Sequence, residues 1–260
     1  MKEAIIHNAK AVYVIAYREF RKFIREKTRI AGTMARPVFW LFIMGSGMGR
    51  LVRPGGGVSY IQFIFPGMLG LTILFASIFS AISIVWDREF GFLKEILVAP
   101  ISRFSIVFGK AMAGTSISML QVLLMMVFIP VLGIKVTFMQ FVLTILAAGL
   151  LAFALTSLGI MVASRMSSYE GFNIIMNFLV MPMLFLSGAM YPVRLLPPVL
   201  KTVTSINPFT YGVDAMRNVL FPAATGVMGP EYPLWLDISL VSGFLVVMVV
   251  LANHSFRRTG

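Results

Sequence analysis

The sequence predicts an all-α integral membrane protein with six transmembrane helices, an N-terminal interfacial amphipathic helix, an amphipathic helix in one inner loop and a short helical cap on the outer side. Three observations carry this. Hydrophobic residues make up 58% of 260 residues and charged ones 12%, at a mean hydropathy of +0.90. No water-soluble domain of this size hides so much apolar surface, so lipid must solvate much of it. The apolar stretches run on without the in/out alternation of barrel strands, so helices, which satisfy their own backbone, are the spanning form. At roughly 20 residues per span the length holds about six, with no sizeable soluble domain.

The first element is basic and amphipathic. In residues 13–36 Tyr13, Tyr17, Phe20 and Ile24 fall near helical spacing, with Arg18, Arg21, Lys22 and Arg25 on the remaining face and Glu19 between them. This reads as a helix lying in the inner interface, or as an ordinary solvated helix feeding a span. Residues 1–36 form this N-terminal segment, 37–253 the membrane domain and 254–260 an inner tail. The earliest apolar residues are broken by His7, Asn8 and Lys10, unlike a cleavable signal peptide.

Six spans follow, at about 37–51, 60–86, 104–132, 136–163, 172–191 and 235–253. With the N-terminus inside, 16 of the 22 Lys and Arg residues fall in inner segments, which places both termini in the cytoplasm. The central parts of the spans hold no Asp, Glu, Lys or Arg. A gradient-driven carrier generally needs such groups or ion-coordinating broken helices, so energy for uphill transport would come from a partner. A membrane scaffold shows the same deficit, and both it and a carrier stay open as alternatives. Small residues four apart, as at Gly109 and Ala113 or Gly159 and Ala163, suit close helix packing. The 19 methionines and 23 phenylalanines fill core and lipid-facing positions or line an adaptable cavity.

The inner loop at 86–103 has its own pattern. Phe92, Leu93, Ile96 and Leu97 share a helical face while Lys94 and Glu95 point elsewhere; Asp87, Arg88, Glu89, Phe90 and Gly91 precede them. Pro100 stops this helix, and Ser102, before Arg103, is placed to cap the next. Such a helix is a handle for a cytoplasmic domain, or an interfacial loop helix with no partner. A tight inner turn at 164–170 carries Arg165 and Glu170, which read as charges that set topology.

The outer segment at 192–222 is also patterned. Pro197 and Pro198 suit a helix start, and Asn207-Pro208 ends that helix. Val213, Met216 and Leu220 then line one face of a second short helix that also carries Tyr211. Its Asp214 and Arg217 stand at i, i+3, a pair worth a few tenths of a kcal/mol if it lies on a surface. The segment reads as a cap or exit gate, or as a stiff lid with no moving role.

Several chemistries are excluded. The Gly109-Lys110 pair is followed by Ala111 and lies in a span, so no Walker A motif is present. Two histidines, His7 and His254, and no cysteine argue against a histidine metal cluster, a Ser-His-Asp triad or thiol chemistry. The net charge of +12 lacks any nucleic-acid recognition motif and reads as retention of basic segments beside the membrane.

The run REFGFLKEILVAPISRFSIVFGK at 88–110 resembles the cytoplasmic loop of the ABC-2 family of exporter permeases, most closely the bacterial drug-resistance and nodulation-factor type. The run FLSGAMYPVRLLPPVLKTVTSINPFTYGVDAMRNVLF at 185–221 is similar to that family's outer loop after the fifth span, and REFRKFIREKTR at 18–29 to its interfacial connecting helix. The polysaccharide-exporting branch is a poorer match and stands as an alternative. The resemblance implies a permease homodimer or heterodimer resting on two copies of a separate ATP-binding subunit, which would hold ATP and Mg; no cofactor is expected on this chain and no catalytic or metal residue. Residues 86–103 would be the main ATPase-coupling element, with Arg165 and Glu170 secondary and Arg18, Glu19, Phe20, Arg21 and Arg25 flanking the ATPase. An amphipathic or lipophilic substrate would move outward across the cytoplasmic membrane by alternating access.

Overall fold

In the computed structural model residues 2–49, 58–92, 98 and 101–257 are described, the side chains of 2–5, 227 and 257 aside. Nine α-helices lie among them: α1 (Lys2–Arg25), α2 (Lys27–Met48), α3 (Tyr60–Glu89), α4 (Arg103–Met126), α5 (Phe138–Ala163), α6 (Tyr169–Phe185), α7 (Pro198–Ile206), α8 (Pro208–Leu220) and α9 (Leu234–Arg257). Single 3₁₀ turns at Val193–Leu195 and Gly226–Met228 interrupt the connection between α6 and α9.

Most helix starts follow from local chemistry. Gln62 Oε1 accepts from the Ser59 N–H before α3, and Ser102 Oγ accepts from the Ser105 N–H at 3.1 Å, the cap the sequence predicts for α4. Thr137 and Gln140 form the same reciprocal box at α5, and Ser168 caps α6 through the Gly171 N–H. Asn207 ends α7 and caps α8, its Oδ1 accepting from the Phe209 N–H at 3.1 Å. Pro198 and Pro208 occupy first-turn positions, where a missing N–H costs nothing.

Three boundaries differ from the sequence expectation. The basic segment is not one helix: the chain breaks at Glu26 (φ −86°, ψ 69°), so that α1 packs on α4 while α2 runs on through Pro37 beside α3. Arg29 anchors the break, donating to Glu26 Oε2 at 3.2 Å and to the Phe79 carbonyl at 3.1 Å. The third expected span stops at Met126 rather than at 132, because Pro130 has no N–H to return to the carbonyl four residues back. The fifth ends at Phe185, beyond Pro182, and Gly188 then takes φ +68° as the chain turns.

By length and composition α3, α4, α5 and α9 are apolar enough to cross a membrane, and the 17-residue α6 is a shorter apolar helix. The expected first span occupies the second half of α2. Helix α3 is the axis of the bundle, touching α2, α4, α5, α6 and α8. In its most apolar stretch 78% of residues are buried inside the protein, against 11% in α9, so α9 turns most of its surface outward. Gly159 permits the close approach of α5 to α3: a Cβ there would stand 2.8 Å from that of Ala81.

Candidate functional site: a charged face and a buried polar wedge

Contacts among the helix ends define two faces of the bundle. On one, here the α1 face, α1 meets the end of α3 and the start of α4, and these two in turn hold the turn at 164–168 and the end of α9. On the other, the α8 face, the start of α3, the 127–137 turn and the segment between α6 and α9 meet.

The α1 face is organised by Lys110, two turns into α4. Its Nζ donates to Glu19 Oε1 at 2.9 Å, Asp87 Oδ2 at 2.6 Å and Ser83 Oγ at 3.0 Å, with 5% of the side chain exposed. Arg18 completes the cluster at 3.3 Å from Glu19 and 3.8 Å from Asp87. Burial alone would raise the Glu19 carboxyl, but Lys110 and then Arg18 outweigh it and hold Glu19 below the usual carboxylate range. The close seam between α1 and α4 depends on Gly109, where a Cβ would stand 3.1 Å from that of Ile15. One cation thus joins the basic N-terminal helix, α4 and the base of the 86–103 loop.

The ends of that loop are tied down. Arg88 donates to the carbonyls of Met166 at 2.5 Å and Ser164 at 2.6 Å, and Glu89 accepts from the Tyr169 N–H at 2.9 Å. On the return side Arg103 donates to the Phe256 carbonyl at 3.1 Å, and the Ser102 N–H donates to Asn8 Oδ1 at 3.0 Å. Arg165 reaches Ser255 Oγ at 2.8 Å, while Glu170 is exposed in the first turn of α6. Gly91 takes φ +81°, and Phe90 and Phe92 are 73% and 54% exposed. Leu93, Lys94, Glu95, Ile96, Leu97 and Pro100, which complete the expected stripe and its stop, lie outside the described residues.

On the α8 face the pair at i, i+3 is no surface contact. Asp214 and Arg217 are each 2% exposed at the side chain and 3.2 Å apart. Arg217 also donates to the Gly188 carbonyl at 3.0 Å and lies over the Phe63 ring at 4.2 Å. Asp214 accepts the backbone N–H groups of Glu231 and Tyr232, both at 2.9 Å to a carboxylate oxygen. Burial pulls the Arg217 guanidinium below its ordinary value and Asp214 opposes the shift. Burial and Tyr211 raise the Tyr232 hydroxyl to about 12, so it stays a protonated donor. Asn218 extends the cluster to the Tyr232 carbonyl and Asp237 Oδ2, both at 2.9 Å. Helix α8 is therefore a buried wedge between α3, α5 and α9. The exposed helix beside it is α7, which begins after Pro197 and carries Val199 at 75% and Ile206 at 76% exposure. Tyr211 fastens the two helices through the Ser205 carbonyl at 2.5 Å.

Sequence reasoning counted Lys110 among the inner basic residues and used it to exclude a phosphate loop, and singled out neither Asn218 nor Asp237. A lone ionisable residue within an apolar helix was the available signal for Lys110 and Asp237. Phe20, Arg21 and Arg25 stand on α1 outside the Lys110 cluster; Arg21 lies 5.9 Å from the Tyr17 ring.

Residues 10–221 match the family described as ABC-2 type transporter. The chain belongs to the ABC-2 family of transport permeases. Nodulation protein J of Rhizobium meliloti (strain 1021) is 31% identical over 232 residues, covering 88% of this chain and 86% of the relative. Nodulation protein J of Neorhizobium galegae is 30% identical over 225 residues, 85% and 81% of the two chains. The ycf38 protein of Cyanophora paradoxa is 30% identical over 210 residues, 79% and 72%. The match to the ABC-2 permeases spans α1 to α8, so the Lys110 cluster, the tied loop and the Asp214–Arg217 pair all fall inside it.

Proposed function

We propose that this ABC-2 permease is the membrane-spanning subunit of an ATP-driven exporter, moving an amphipathic or lipophilic substrate outward across the cytoplasmic membrane. Two copies of a separate ATP-binding subunit supply ATP and Mg, the permease works as a homodimer or heterodimer, and the α1 face with both chain ends lies in the cytoplasm. The observation that carries this reading is the anchored loop, whose two ends are tied to the 164–168 turn, α6, α9 and α1 while Phe90 and Phe92 stand exposed beyond them. Aromatic anchors on a rigid base suit the docking of a partner domain. A push on the loop would pass through Arg88 to the 164–168 turn and through Lys110 to α1. Asp87, Arg88, Glu89 and Arg103 are positioning residues here, and the outer α7–α8 pair closes the far side of the path.

The test pairs the yield of folded permease in detergent with the fraction of ATP-binding subunit that co-purifies. Phe92→Ala should leave the yield unchanged and cost about 2 kcal/mol or more of association. Unchanged co-purification and unchanged transport would overturn the coupling role.

A further inference from the structure

The joint between α8 and α9 holds a carboxyl without a counter-charge. Among the described residues three acidic side chains meet there beside two guanidiniums. Asp214 pairs with Arg217 at 3.2 Å, and Glu231 pairs with Arg194 at 3.1 Å. Asp237, in the first turn of α9, is 0% exposed and joins no ion pair among the described residues.

The two buried aspartates differ in what they touch. Asp214 accepts the Glu231 and Tyr232 N–H groups besides its guanidinium. Asp237 has one partner: its Oδ2 accepts from Asn218 Nδ2 at 2.9 Å, while its buried Oδ1 meets no hydrogen-bonding atom among the described residues. Arg217 does not supply the missing donor. Its terminal nitrogens donate to Asp214 and to the Gly188 carbonyl, and its buried Nε–H is itself without an acceptor. Tyr211 and Tyr232 stand at the same joint, 5.0 Å apart between ring centroids, and the Tyr211 hydroxyl is committed to the Ser205 carbonyl. Helices α4 and α5 also pack on α9 and bring no charge to it: α5 has no charged residue, and Arg103 and Lys110 of α4 stand on the α1 face.

An ionised carboxylate with a single neutral amide beside it is costly in such surroundings, whereas a neutral acid keeps the Asn218 bond and sheds the charge. Asn218 spans the joint, since it donates to the Tyr232 carbonyl as well. Parting α8 from α9 would withdraw that amide and admit water, and a hydrated aspartic acid gives up its proton at neutral pH.

We infer that Asp237 is a proton-binding site, loaded while the α8 wedge is seated against α9 and emptied when the two part. By linkage the bound proton and the seated wedge favour each other. On the topology proposed above the site exchanges protons with the medium outside the cell. It requires neither cargo nor an ATP-binding subunit, so failure of the exporter reading leaves it standing.

Infrared difference spectra of the full-length permease in detergent micelles, taken as the pH is raised from neutral, test the assignment. The wild type should lose the carbonyl stretch of a protonated carboxylic acid, and the nearly isosteric Asp237→Asn should show no such loss. Asp237→Glu keeps an acid and should show the loss at a shifted frequency, an assignment that does not depend on how Asp237→Asn folds. Asn218→Ala removes the one donor to the carboxylate and should move the midpoint of the loss upward by about one pH unit. In the unfolded chain this carboxyl is ionised already at neutral pH, so the wild-type thermal midpoint should fall as the pH rises through the midpoint of the band. That fall should be missing in Asp237→Asn. No acid band in the wild type at neutral pH, or the same loss in Asp237→Asn, would overturn the site. An unmoved midpoint in Asn218→Ala would overturn its placement at the joint between α8 and α9.

Discussion

At the scale of single residues, Lys110 and Asp214 each hold a cluster whose members cannot be removed singly at low cost. Lys110→Met would leave Glu19 and Asp87, 11% and 14% exposed, with only the exposed Arg18 beside them, a change that costs about 3 kcal/mol. The expected result is a much lower thermal midpoint in detergent, and one that Glu19→Gln partly restores when the two are combined. An additive double mutant would show that the two side chains act separately. The same pair sets a pH dependence. Because Glu19 is held below its ordinary value of 4.5, its contribution is fully present above that pH and is lost as the pH falls through its folded value. Acid titration of the thermal midpoint should therefore show a loss below pH 4.5 that Glu19→Gln diminishes. On the α8 face, Asp214→Ala strands the buried Arg217 guanidinium and two backbone N–H groups, which costs about 3–5 kcal/mol. Glu26→Ala, whose pair with Arg29 is 38% and 24% exposed, should cost less than about 1 kcal/mol. Equal losses in the two variants would contradict the burial of the α8 pair.

At the scale of elements, α1 is a packed part of the bundle, and its seam with α4 tolerates little bulk. Gly109→Val places branched carbons where Ile15 and the Val12 backbone already stand, 3.1 to 3.3 Å from a Cβ at that position. The expected outcome is displacement of α1 with the rest of the bundle intact. Limited proteolysis should then cut between α1 and α2 several times faster, while α3 to α9 remain protected. Unchanged cleavage would mean that the seam relaxes without releasing the helix. Local signals made part of this level legible: Ser102 caps α4, proline begins α7 and Asn207 ends it, while the caps that Ser168 gives α6 and Asn207 gives α8 were not singled out. The break at Glu26 was not legible, because helical periodicity continues through it. What bends the chain there is the bond from Arg29 to the Phe79 carbonyl, 50 residues away.

At the scale of the whole molecule, the ends of α1 and α9 meet the same end of α4, through Asn8 to Ser102 and Phe256 to Arg103. The described ends of α1 and α9 therefore share one face of the bundle, and the topology proposed above from the charge distribution puts that face in the cytoplasm. Ser255 is 2% exposed and bonded to Arg165, which makes it a poor position for a reporter, but His254 beside it is exposed, as is Lys135 on the α8 face. The chain has no native cysteine, so His254→Cys and Lys135→Cys provide single thiols. An impermeant thiol reagent applied to intact cells should label the second and spare the first. The reverse pattern would invert the protein, and labelling of both would contradict the placement of the α9 end and the 127–137 turn on opposite sides.

By itself the amino-acid sequence determined that this is a helical membrane protein, where most helices start, and which family of permeases it belongs with. Those properties rest on composition, capping and runs of similar residues, all of them local in the chain. Only the tertiary structure decided what the ionisable residues do. Lys110 meets Glu19 across 91 positions and Asp87 across 23, and Arg88 finds its carbonyl partners 76 and 78 residues on. The i, i+3 spacing of Asp214 and Arg217 was visible in the chain, but its worth was not. An ion pair in water contributes a few tenths of a kcal/mol, and the same pair wedged between α3, α5 and α9 carries the full cost of a stranded charge, a difference set by what packs around it.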